Sequence, residues 1–153
     1  MTLQDYTIRR LGPGDVDPFR QMLTCFAIGF EDEANYVTNP PSDAYIADRL
    51  ADGGFIPLVA EERGEVIGAL CAYVMQKFEQ ERAEIYVYDL AVLPDHQRKG
   101  VATGLFTALK PISREAGAWV IYVQTDHDSE PAIALYTGLG TREDVLHFDI
   151  PVE

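Results

Sequence analysis

Apolar residues recur along this chain with two different periods, and the switches between them divide it into elements. Residues 6–11 alternate well enough for a first strand, which Gly12-Pro13-Gly14 ends. Across residues 15–30, Val16, Phe19, Met22, Leu23 and Phe26 fall at helical spacing, with Asp15 placed to cap the start. A loop, Asn39-Pro40-Pro41-Ser42-Asp43, leads to a short helix over 43–51, capped by Asp43 and stopped at Asp52-Gly53-Gly54. The runs 55–61 and 65–75, joined by Glu62-Arg63-Gly64, read as a β-hairpin. In residues 83–93, Ile85, Val87, Leu90 and Val92 occupy both alternation classes, the pattern of a strand covered on both faces.

Gly100 opens a segment in which Leu105, Phe106, Leu109 and Ile112 share one helical face. Pro111 lacks an amide donor, which predicts a kink or a stop there. Residues 119–124 read as a short buried strand. Ala132, Leu135, Tyr136 and Leu139 mark a last helix closed by Gly138 and Gly140, and 142–150 a final strand. The order is strand, two helices, three strands, helix, strand, helix, strand. That order predicts an α/β fold with a mixed central sheet flanked by helices. Without a repeat or a linker, residues 1–153 read as one domain.

Composition narrows the function. A net charge of −13 disfavours nucleic acid and anionic membranes and draws polycations. Cys25 and Cys71 lie far apart among apolar neighbours, and His96, His127 and His147 are scattered, so neither a disulfide framework nor a metal centre is expected. Neither a leader nor a spanning segment is visible, and the cytoplasm is the expected compartment.

The most specific signal is Gln97-Arg98-Lys99-Gly100-Val101-Ala102-Thr103, where the central strand turns into a helix. Amides at a helix start have no intrahelical acceptor and can cradle a pyrophosphate, helped by the helix dipole. Arg98 and Lys99 add positive charge in an otherwise acidic chain. Taken alone, such a turn is as well explained by solvated basic residues. In context, Val92-x-Pro94-x-x-Gln97-x-x-Gly100-x-Ala102 resembles the acetyl-CoA signature of the GNAT superfamily of N-acetyltransferases. The resemblance implies a GNAT-type acyl-CoA N-acyltransferase fold, with acetyl-CoA as cosubstrate and residues Leu90, Ala91, Val92 and Gln97 through Thr103 flanking it.

The run from Ala132 to Gly140 looks like the superfamily's late helix, in which a tyrosine faces the cofactor sulfur. Tyr136 is the matching residue, although by spacing alone it belongs to the core stripe. Ser129 stands where the superfamily often has Asn and is read as a helix cap. Beyond the superfamily, Lys77-Phe78-Glu79-Gln80 with Glu84-Ile85-Tyr86-Val87-Tyr88-Asp89-Leu90-Ala91-Val92 looks closely like the gentamicin-modifying aminoglycoside 3-N-acetyltransferases. So do Ile121 to Gln124, Pro131 to Tyr136 and His147 to Ile150. That likeness implies acetylation of the 3-amino group of an aminoglycoside, antibiotic resistance and a homodimer.

An alkyl ammonium must lose a proton before it attacks a thioester. Asp89, late in the central strand, is placed to hold the ammonium and take that proton, Tyr136 to meet the leaving thiolate, and an amide near Leu90 or Ala91 to face the developing oxyanion. A structural carboxylate is the competing reading of Asp89. Glu84 is the second candidate, but alternation puts it on the opposite face unless a bulge resets the register. Asp32, Glu79, Tyr88 and Asp126 are candidate substrate contacts, the acids being also explicable as solvated. Neither cysteine lies where a covalent acetyl intermediate would form, so direct transfer in a ternary complex is expected. Acetylation of another polyamine or a peptide amine, and a non-catalytic acetyl-CoA-binding module, are the alternatives.

Overall fold

The structure is a computed structural model, and it describes residues 5–153. Strand β1 (Thr7–Arg10) is followed by helices α1 (Val16–Phe30), α2 (Glu33–Tyr36) and α3 (Asp43–Ala51). Then come β2 (Phe55–Glu62), β3 (Glu65–Gln76), β4 (Ala83–Val92), a 3-10 turn at Pro94–His96, α4 (Val101–Glu115), β5 (Ala118–Val123) and α5 (Glu130–Leu139). The five strands lie side by side in chain order, antiparallel except for the parallel pair β4/β5. A mixed sheet flanked by helices is the expected α/β architecture.

One apolar layer joins α1 and α3 to the sheet through Phe19, Met22, Phe26, Ile46 and Val59. The other joins α4 to the opposite face through Leu58, Leu70, Ile85, Leu105 and Leu109. Both faces of β3 and β4 are therefore covered over part of their length, as the double alternation in 83–93 predicted. The β2/β3 turn places Arg63 and Gly64 at φ of 53° and 81°, as two-residue hairpin loops do.

Several expectations need correction. Asp15 does not cap α1 through its side chain; that carboxylate accepts from Gly12 N–H at 2.8 Å and pairs with Arg9. Ser42, not Asp43, caps α3, its Oγ accepting from Tyr45 N–H at 3.2 Å. Ser129 makes no capping hydrogen bond by its side chain. Helix α4 runs through Pro111, because that residue faces solvent while Leu109 before it and Ile112 after it pack into the apolar layer. Strand β5 is not buried: it is the outermost strand, and Trp119 is 57% exposed. Residues 142–150 form no strand, because no strand among the described residues pairs with them. Helix α2 was not foreseen; one turn carries too few residues to show a period.

Candidate active site

The central strand carries the candidate chemistry, and an irregularity in it decides which residues share a face. Asp89 lies opposite Cys71 on β3, while Val87 lies opposite Ala72, the next residue along, so Tyr88 is an extra residue in β4. The bulge resets the alternation. Glu84 and Tyr86 below it and Asp89 and Ala91 above it come to the same side, the side of α1, which corrects the placement of Glu84 on the opposite face. Tyr88 itself is pushed outward, 61% exposed, with its ring edge-on to Tyr73 and Tyr86.

Asp89 is half-buried beneath α2. Tyr36 Oη donates to Asp89 Oδ2 at 2.7 Å, and the Tyr36 ring is held in place by Phe26 and Phe30. Desolvation raises the Asp89 pKa above its usual value, and the Tyr36 hydrogen bond opposes the rise. Burial and the adjacent carboxylate push the Tyr36 hydroxyl up, so it stays a donor. Tyr36 escaped the sequence reading because α2 has no pattern; its one signal is an aromatic residue just after the acids Glu31-Asp32-Glu33.

Pairing of β4 with β5 ends at Val87 and Val123, where β5 itself ends, so the last part of β4 runs on without its parallel neighbour. Leu93 N–H bonds to Ile67 O of β3, so by alternation the amides of Leu90 and Val92 turn away from β3 toward the open side. At the end of β4 the turn is fixed by Gln97, whose Nε2 donates to Val92 O at 3.1 Å and whose amide bonds to Pro94 O. Gln97 thus spends its backbone amide and one side-chain N–H within the protein. Arg98 and Gly100 then adopt left-handed backbone, at φ of 61° and 79°. Helix α4 takes its first backbone bond at Gly104, to Gly100 O. Among the described residues, no acceptor engages the amides of residues 98–103. A Cβ on Gly100 would meet nothing within 4 Å, so the space before these amides is open. A row of free donors with open space and two basic side chains fits a pyrophosphate.

Tyr136 projects from α5 against Phe106 of α4, ring centroids 5.8 Å apart, and burial raises its hydroxyl pKa. The remaining acids are more committed. Asp32 caps α2 through Asn35, Glu79 pairs with Lys77 at 3.2 Å, and Glu84 is held by Lys77 at 3.4 Å and Trp119 Nε1 at 3.0 Å. Asp126 is exposed in the loop after β5. Beside α2, Ala27, Ile28, Glu31 and Glu33 line an open depression of about 440 Å³.

A strand that outruns its parallel neighbour and ends in a glycine turn presenting free amides has a match among known families. The model described as "Acetyltransferase (GNAT) family" matches residues 19–141, well over half the chain. This chain belongs to that family. It is 31% identical to the uncharacterized N-acetyltransferase YhfO of Bacillus subtilis, over 72% of this chain and 76% of that one. It is 27% identical to an N-alpha-acetyltransferase of Saccharolobus solfataricus, over 92% and 82% of the two chains. Among solved structures, it resembles the aminoglycoside acetyltransferase HMB0005 from an uncultured soil metagenomic sample, with 47% identity, a TM-score of 0.95 and all of both chains covered. A second soil enzyme, aminoglycoside acetyltransferase meta-AAC0020 in complex with sisomicin, gives 27% identity and a TM-score of 0.90 over 97% of each chain. The GNAT fold is therefore established, with acetyl transfer from acetyl-CoA as the family's reaction.

Proposed function

We propose that this acetyltransferase moves the acetyl group of acetyl-CoA to the 3-amino group of an aminoglycoside, and so confers resistance to it. The observation that carries this reading is the 47% identity over the whole chain to an aminoglycoside acetyltransferase. The site agrees with it: Asp89 and Glu84 lie on one sheet face about five residues apart, roughly 15 Å. Two carboxylates at that spacing suit a substrate with several ammonium groups. Asp32, Tyr88, Glu79 and Asp126 complete the substrate contacts in this reading.

In this mechanism the free amides of residues 98–103, with Arg98 and Lys99, hold the diphosphate of acetyl-CoA. Asp89 binds the ammonium and accepts its proton, and its raised pKa makes it a better base than an ordinary aspartate. The amine nitrogen then forms its bond to the carbonyl carbon as the carbon–sulfur bond breaks. Leu90 N–H faces the oxygen on which charge develops, and Tyr136 gives a proton to the departing sulfur. Tyr36 fixes Asp89. Burial pushes Cys25 up to about 11 and Cys71 upward too, away from the thiolate a covalent route would need. The working assembly is a homodimer.

Thiol release from acetyl-CoA, measured across gentamicin-type aminoglycosides, spermidine and a peptide with a free N-terminus, tests the reading. Turnover with the aminoglycosides at micromolar concentration is expected, together with its loss in Asp89→Ala while calorimetry still records acetyl-CoA binding. The similarity to an N-alpha-acetyltransferase makes the peptide the rival substrate. Preference for peptide or spermidine would overturn the aminoglycoside assignment, and binding without turnover on any amine would leave only a cofactor-binding module.

A further inference from the structure

Four tyrosines gather on one face of the sheet without entering either apolar layer. Tyr86 lies opposite Tyr73 of β3 and opposite Tyr122 of β5, and by alternation all three share the side of Cys71 and Asp89. With Phe55 of β2 and with Tyr88 they make a row of rings across the strands. Successive centroids lie 5.6 Å apart from Phe55 to Tyr73, 6.0 Å to Tyr88, 5.9 Å on to Tyr86 and 4.7 Å to Tyr122. Helix α1 covers this face around Cys71 and Ala91, and the row lies further along the strands, where Tyr73 is 44% exposed.

Tyr88 is the most exposed ring of the row and one of the most constrained. Tyr73 and Tyr86 each meet it at 82°. Both supports are themselves fixed. Tyr73 leans on buried Phe55, while Tyr86 stacks on Tyr122 and its Oη donates to Gln124 Oε1 at 2.7 Å. Tyr122 Oη in turn donates to Met75 Sδ at 3.6 Å. In a regular strand, neighbouring residues point to opposite faces, so Tyr88 and Asp89 could not serve one side. The bulge removes that restriction and sets a rigid aromatic ring beside the carboxylate.

We propose that Tyr88 is a stacking platform for the saturated ring that carries the reacting amine, with Tyr73 and Tyr86 as positioning residues that hold it upright. The proposal rests on the aminoglycoside reading of the site and adds how the ring is told from a flexible chain. An ammonium held by Asp89 brings the carbon that bears it toward the next side chain along. A six-membered cyclitol or sugar ring turns a face of C–H bonds outward, and the adjacent ammonium makes those hydrogens more positive. The face of a tyrosine is negative, so the two attract, and the contact also removes apolar surface from water. An open-chain amine has no such face and would lose chain entropy in lying flat. The ring row carries no charge of its own, so selection by shape here is separate from selection by charge at Asp89.

Steady-state kinetics on the whole chain test the platform with three amines: a gentamicin-type aminoglycoside, its isolated diaminocyclitol ring, and an open-chain diamine of the same charge. In Tyr88→Ala, KM for the aminoglycoside and for the ring is expected to rise about tenfold, with kcat and the KM for acetyl-CoA nearly unchanged. Tyr88→Phe and Tyr88→Trp should keep native values, and Tyr88→Leu should behave like Tyr88→Ala, because bulk without a flat face is not enough. Tyr73→Ala should raise KM in the native background and add nothing to Tyr88→Ala, since it acts through that ring. Circular dichroism confirms that each exposed-site variant is folded. Leucine serving as well as phenylalanine, or an open-chain diamine losing as much as the ring, would overturn the platform. So would a lowered sedimenting mass in Tyr88→Ala with KM untouched, which would give the rings to a second copy. If the native chain acetylates the aminoglycoside and no variant moves its KM, the platform fails and the aminoglycoside reading stands. Transfer to the cyclitol ring alone, with the same sensitivity to Tyr88, keeps the platform and removes the antibiotic, and transfer to no ring-borne amine removes both.

Discussion

Asp89 sits under two opposed influences, desolvation that favours its proton and the Tyr36 hydroxyl that favours its charge. Tyr36→Phe removes only the second. The Asp89 pKa then climbs further, so the acid limb of kcat/KM moves to higher pH. Stability falls by about 1 kcal/mol for the lost hydrogen bond, readable in a denaturant titration. Unchanged pH profiles would detach Tyr36 from the chemistry. The stability of the native protein carries the opposite sign. Because the folded Asp89 pKa is raised, folding binds the proton more tightly than the unfolded chain does. That contribution is fully present below the unfolded value near 3.8 and is lost as pH rises through the folded value, above which the ionised group is a burden. Asp89→Asn, which still offers Tyr36 an acceptor, is expected to raise the thermal midpoint at pH 7 while abolishing transfer. The advantage should shrink toward pH 3, and equal midpoints of native and variant chains at pH 7 would refute it.

Among elements, the contact that sets the height of α1 over β4 is Gly29 against Ala91: a Cβ on Gly29 would lie 2.7 Å from the Ala91 Cβ. Neither atom can rotate away, so Gly29→Ala must lift the helix or push the strand that carries Asp89 and Leu90. A loss of about 1–3 kcal/mol is expected, with a disproportionate fall in kcat. Melting curves and steady-state kinetics on the same sample read both, and a variant with native stability would place the contact elsewhere. This registration also marks what the sequence could convey. The hairpin, α1, α3 and the turn at Gly100 were legible because each has a period or a glycine that backbone geometry requires. The bulge at Tyr88 was not: no residue type marks an extra residue, and only the partner strand reveals that 84 and 89 share a face. Pro111 misled because its breaking tendency was outweighed by Leu105 and Leu109 on the buried face. Residues 142–150 alternate as a strand does yet join no sheet among the described residues, since alternation says that a face wants cover and not what supplies it.

At the scale of the whole molecule, a net charge of −13 acts differently on the two substrates of the proposed reaction. An aminoglycoside arrives with several positive charges and is drawn in; acetyl-CoA arrives with several negative ones and meets attraction only near Arg98 and Lys99. Salt screens both fields over about 10 Å at 0.1 M, so it should weaken the first and relieve the second. Raising salt from about 20 mM to about 300 mM is therefore expected to lower kcat/KM for the aminoglycoside about tenfold while leaving that for acetyl-CoA unchanged or higher. A peptide carrying a single terminal ammonium would feel far less of the field, and its kcat/KM should hardly move. The slopes of the three substrates against ionic strength thus read the charge of the amine that the acidic surface attracts. If the polycation and the singly charged amine shared one slope, the acidity would be a matter of solubility with no part in recognition.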